Sequence, residues 1–237
     1  MDDLASNSHQ IWGGNFPRLF ELYRESDQTA PGNWFLQPGI NRGLVAEEPI
    51  FRRIEEDLQQ LDSLAWTAFK SKARRYVHLQ DPWGYHSQLF DCLHEVKGYL
   101  YLKDNGYEEI EFIPEQKDRF TPDLRARVGK SVAVMEVKTV NESDEQKDYL
   151  AAPIQEHEFV DMDLHLRGAF EGKLLSTLEH ACAQLLAITD SSARPIVYFA
   201  IRPDFNFDAH PEIADFLRAH SSPGVEIIVH FVLDDRW

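Results

Sequence analysis

Thr121-Pro122-Asp123-Leu124-Arg125-Ala126-Arg127-Val128-Gly129-Lys130-Ser131-Val132-Ala133-Val134-Met135-Glu136-Val137-Lys138 reads as two strands joined by a tight turn at Gly129-Lys130. Alternate residues of a strand share a face, so Glu136 and Lys138 point with Val132 and Val134, roughly 7 Å apart along the strand. That face is expected to change from apolar to ionised at one end. Asp123 lies six or seven residues before the turn and Glu136 six or seven after it, so the two carboxylates can meet across the strands. Adjacent carboxylates repel at neutral pH, and a shared proton or a divalent cation relieves the repulsion. A hard oxygen site suits magnesium. A lysine beside such a site can orient or deprotonate an attacking water and offset charge on a phosphate.

Working outward, a helix is expected over residues 87–105, with Leu89, Leu93, Val96 and Leu100 on one stripe and Gly106 at its end. Strands are expected at 110–113, 123–128 and 131–140. Residues 141–165 hold eight acids and a single lysine and are expected to be exposed, after which Leu174, Leu178, Leu185 and Ile188 build an amphipathic helix. A buried strand at 195–201, a helix at 212–220 and a last strand at 225–233 complete the order αβββαβαβ. That order indicates an α/β fold with a mixed sheet flanked by helices.

Pro122-Asp123 followed by Glu136-Val137-Lys138 resembles the signature of the PD-(D/E)xK nuclease superfamily, which includes restriction endonucleases and Holliday-junction resolvases. Glu95, on the helix before the sheet, is placed like the helical glutamate of the resolvases. The resemblance implies a restriction-endonuclease-like αβββαβ core and covers about residues 87–235. It further implies that Asp123, Glu136 and the main-chain carbonyl of Val137 ligate Mg2+ or Mn2+, that Glu95 supports the metal, and that Lys138 acts on the nucleophilic water. Many relatives carry a glutamine or lysine where Gln184 stands on the later amphipathic helix, near the active centre. Some exonuclease branches have a tyrosine four residues further on, where this chain has Ile188, a departure that argues against those branches.

Residues 1–80 form an expected N-terminal helical and irregular extension, with the nuclease-like domain at 81–237 and the break at Asp81-Pro82-Trp83-Gly84. Ile54, Leu58, Leu61, Leu64 and Ala65 recur at helical spacing, as one long helix or two short ones. Lys70, Lys72, Arg74 and Arg75 are the densest basic cluster and a candidate contact for phosphates, or else a counterweight to neighbouring acids. They stand out because Asp plus Glu outnumber Lys plus Arg by 40 to 24, giving a net charge of -16. Such a chain is no passive coat for nucleic acid or an anionic membrane, and a protein partner or homodimer is an expected aid to binding. His157, Asp161 and His165 align at helical spacing as a weaker candidate metal site, and Trp12, Trp34, Trp66 and Trp83 suit packing better than base stacking. Cys92 and Cys182 are expected as buried thiols. No run reaches the roughly 20 apolar residues of a membrane span, and a cytoplasmic location is expected. Two functions follow as expectations: a metal-dependent nuclease acting most naturally on DNA, or a catalytically inactive module of the same fold that binds nucleic acid or a protein.

Overall fold

The computed structural model describes residues 13–82, 85–116, 119–140, 159–189, 193–201 and 210–232. Among these the protein is α/β, with seven helices and a mixed five-stranded sheet flanked by helices. The helices are α1 (Pro17–Glu25), α2 (Pro38–Val45), α3 (Pro49–Gln59), α4 (Ser63–Ala73), α5 (Ser87–Asp104), α6 (Phe159–Ile188) and α7 (His210–His220). The strands are β1 (Glu108–Phe112), β2 (Leu124–Val128), β3 (Ser131–Val140), β4 (Ala193–Ile201) and β5 (Glu226–Phe231), in spatial order β1-β2-β3-β4-β5. From α5 onward the expected αβββαβαβ order is present. The described residues divide into two compact units, one holding residues 13–116 and 123–126, the other 119–122 and 127–232. Both α4 and α5, which lie either side of the Asp81–Gly84 break, belong to the first unit.

The first unit is built on aromatic packing, with Phe16, Trp34, Phe35, Phe51 and Phe69 all buried. Trp34 meets Phe35 edge-on at 4.9 Å, and Phe112 of β1 stacks on Tyr99 of α5 at 5.6 Å. The start of α1 has Pro17 at its first position and no capping side chain of its own. Its next two N–H groups, on Arg18 and Leu19, instead donate to the buried carboxylate of Glu55 on α3, at 2.9 and 3.0 Å. A negative group at a helix N-terminus satisfies those donors and complements the helix dipole.

The apolar run through residues 54–65 is two helices rather than one. Asp62 accepts from the N–H groups of Leu64 and Ala65, both at 2.9 Å, and so starts α4 afresh. The new start shifts the helical phase. Ile54, Leu58, Leu61 and Ala65 are buried, but Leu64 is 82% exposed, so it leaves the stripe that its spacing predicts. Trp66, Phe69 and Ala73 turn inward from α4 in its place.

In the second unit, β3, β4 and β5 are parallel, with Glu136 in register with Val197, and Lys138 with Phe199. Gly129, at φ +60°, makes the turn from β2 into β3 with a backbone conformation that suits glycine. Helix α6 lays Phe170, Leu174, Leu178, Ala181, Cys182 and Leu185 over Val140, Val197, Phe199 and Ile201, and α7 adds Ile213 and Leu217. These positions recur every three or four residues, the period of one helix face. Two expectations change here. The helix starts at Phe159, inside the acidic stretch read as an exposed connection, and its buried stripe ends at Leu185, leaving Ile188 exposed. No helix among the described residues is long and apolar enough to cross a membrane.

Candidate functional site

In the first unit, three helical turns of α5 from Cys92 to Leu102 are buried on nearly every side, and Glu95 lies among them. Its side chain is only 7% exposed, so its charge needs a partner. Lys72 of α4 supplies one, with Nζ 2.7 Å from Glu95 Oε1. The same ammonium lies 3.3 Å from Asp123 Oδ1 and 3.3 Å from Glu115 Oε1. Lys72 is 13% exposed and Asp123 17%, whereas Glu115 sits at the solvent edge. Asp123 is fixed along the backbone as well, since its carbonyl accepts from Ile113 N–H at 2.9 Å.

The electrostatics of this cluster follow from burial and an uneven count of charges. Burial, and then the neighbouring Asp123, push the Glu95 carboxyl well above the usual carboxylate range, against the pull of Lys72. Burial opposes the charge on Lys72, but Glu95 and Asp123 outweigh it and hold its pKa above that of ordinary lysine. Glu95 Oε2 is buried with no hydrogen-bond partner. One ammonium therefore serves two withdrawn acids and leaves one oxygen of the deeper acid unsatisfied. Cys92, one turn before Glu95, is a buried free thiol whose pKa burial raises, which makes it a poor nucleophile.

The second unit carries Glu136 and Lys138 on β3. Lys138 Nζ donates to Glu136 Oε1 at 2.6 Å, with Glu136 6% and Lys138 25% exposed. The strand does not change to an ionised surface at its end, because Val140 beyond the pair is fully buried in the cluster under α6. The two charges interrupt an apolar face instead of finishing it. Val137, between them, turns to the other face and is buried. Gln184 on α6 has a buried Oε1 without a hydrogen-bond partner.

Of the basic cluster, Lys70 and Lys72 are held by acids of their own unit. Lys70 bonds to Glu21 and, at 2.5 Å, to Glu25, and it lowers the pKa of Glu21. Arg74 and Arg75 are exposed at the end of α4, with Arg75 over the Tyr76 ring and 3.9 Å from Glu115. Trp34 and Trp66 are buried, and Trp66 Nε1 donates to Glu21 at 2.8 Å, as their packing role requires. Trp12, Trp83 and His157, and the side chains of Asp161 and His165, lie outside the described residues. Sequence reasoning missed Lys72 as the partner of Glu95 and Asp123, and Glu115 as a third acid on Lys72. The only local cue is that Lys72 falls between the inward-facing Phe69 and Ala73 of α4.

Within the first unit, the carboxylates of Glu95 and Asp123 are hard-oxygen donors of the type that magnesium and manganese take, and the unsatisfied oxygen of Glu95 fits such a cation. Among the described residues, no group of three or more His, Cys, Asp or Glu side chains is drawn together as a metal cage. Neither a protein-family model, nor a curated protein, nor a solved structure matches this chain.

Proposed function

We propose that the protein is a metal-dependent nuclease of the PD-(D/E)xK type with a restriction-endonuclease-like core, hydrolysing phosphodiester bonds in DNA. One observation carries the reading: all four residues of the motif, Glu95, Asp123, Glu136 and Lys138, are ionisable side chains largely withdrawn from water. Withdrawing an ionisable group from water is costly, and four such groups at the positions of the motif suit a chemical role. Asp123, Glu136, the Val137 carbonyl and Glu95 are the groups that would hold Mg2+ or Mn2+. A bound ion of this kind makes water a stronger acid and offsets charge on the scissile phosphate. Lys138 is the one cation of the set on β3, and its role is to orient the attacking water and hold or release its proton. Glu136 fixes the Lys138 ammonium on the strand through their 2.6 Å contact. Gln184, Arg74 and Arg75 are the remaining candidates for contact with nucleic acid.

The second reading is a catalytically inactive module that binds nucleic acid or a protein partner, and Lys72 favours it. An ammonium between Glu95 and Asp123 balances charge that a metal would otherwise balance. The two readings separate in a cleavage assay on single-stranded, double-stranded and branched DNA and on RNA, with Mg2+, Mn2+ or EDTA. The nuclease predicts metal-dependent cutting that falls by at least about a hundredfold in Lys138→Ala. Wild type and variant equally inert on every substrate would put the binding module first.

A further inference from the structure

Lys72 is more than a neighbour of the motif. Its Nζ reaches Glu95, Asp123 and Glu115, three acids graded from buried to exposed. Glu95 and Asp123 hold it from within, while Glu115 lies at the solvent edge, where it also accepts from Tyr76 Oη at 3.2 Å. The lysine stem is long and flexible, so the ammonium can move toward Glu115 without a change in α4. A magnesium or manganese ion binds carboxylate oxygens at about 2.0–2.2 Å and brings twice the charge, so it and the ammonium cannot both sit between Glu95 and Asp123.

Resting on the metal-dependent reading above, we infer that Lys72 is a built-in competitor for the metal: it occupies the Glu95–Asp123 pair and must swing outward to Glu115 before a divalent cation can bind. Two observations point to a cation there. The ammonium already sits within reach of both acids, and Glu95 Oε2, deeply buried, has no hydrogen-bond partner, so one ammonium does not saturate the pair. The lysine then lets the protein fold without metal, because the buried acids are never left without a cation. The cost is affinity. Every metal-binding event must first break the Lys72 contacts, so the metal dissociation constant is raised by the strength of those contacts.

The test is Mn2+ binding to the full chain by isothermal titration calorimetry, in wild type, Lys72→Gln, Lys72→Arg and Asp123→Asn, with circular dichroism reporting the fold. Lys72→Gln, which keeps a hydrogen-bond donor and loses the charge, should bind Mn2+ at least tenfold more tightly than wild type. Lys72→Arg should gain nothing, and Asp123→Asn should lose binding. If Lys72→Gln matches wild type while Asp123→Asn weakens binding, the competition is overturned and the metal reading stands. If neither wild type nor Lys72→Gln takes up Mn2+, both are overturned. Should Lys72→Gln fail to fold, acetylation of wild-type Lys72 by acetic anhydride, followed by peptide mass spectrometry, decides the matter. Mn2+ should speed that acetylation severalfold by releasing the amine, and an unchanged or slower rate overturns the inference.

Discussion

The two units each bury an acid against a lysine, but they do so in opposite ways. On β3, Lys138 and Glu136 stand two residues apart on one face of one strand, one charge against one. In the helical unit, Lys72 meets Glu95 from 23 residues away and Asp123 from 51, one charge against two. The first couple is set by strand geometry alone and balances locally. The second exists only once α4 and α5 have packed, and one ammonium there serves two withdrawn acids. A local pair can be lost at modest cost, whereas a long-range cluster is part of the packing itself.

The sharpest way to break this contrast is Lys72→Met, which leaves Glu95 and Asp123 with no cation from α4. Removing one partner of a buried pair costs about 3–5 kcal/mol. The loss should grow with pH. Glu95 has a raised carboxyl pKa in the folded state, and without Lys72 it rises further, so the folded protein holds a proton that the unfolded chain gives up. Stability is then greatest below the ordinary carboxylate pKa and falls as pH rises through the folded value. Urea unfolding of the variant at pH 5 and pH 8 should show the larger deficit at pH 8. An equal deficit at both would remove Glu95 as the source.

Lys138→Met should cost less, about 1–3 kcal/mol, because a single acid is affected and Lys138 is the more exposed of the two lysines. Measured beside Lys72→Met by the same unfolding curves, it sharpens the comparison, and a larger loss at Lys138 would reverse it. The smallest effect is Asp62→Ala, about 1 kcal/mol from the N-cap of α4. Its value is as a control, since α4 carries Lys72. A loss near 1 kcal/mol without change in pH dependence would show that the helix start and the charge cluster are separable.

The same contrast explains what the amino-acid sequence discloses. The order from α5 to β5 and the turn at Gly129 are legible because glycine punctuation and helix or strand periodicity are local. Glu136 with Lys138 is legible for the same reason. Leu64 misleads because its spacing from Leu61 is helical, but the Asp62 cap between them restarts the helix in another phase. The length of α6 misleads because Asp161 and Asp163 continue the acidic composition of the preceding stretch into the helix. Lys72 falls with Lys70, Arg74 and Arg75 in one basic cluster, but composition does not tell a solvent-facing lysine from one that packing turns inward. Its partners are distant in the chain, so its role could not be read from any window around it.

Glu55 has a consequence for the order of events in folding. Helix α1 is nine residues long, too short to persist in water by itself, and its first free N–H groups are satisfied by a carboxylate 36 and 37 residues further along the chain. During synthesis the α1 segment therefore emerges well before the residue that completes it. It is a helix that waits for α3, and exchange of the Arg18 and Leu19 amides with solvent deuterium is a clock for the moment that α3 arrives.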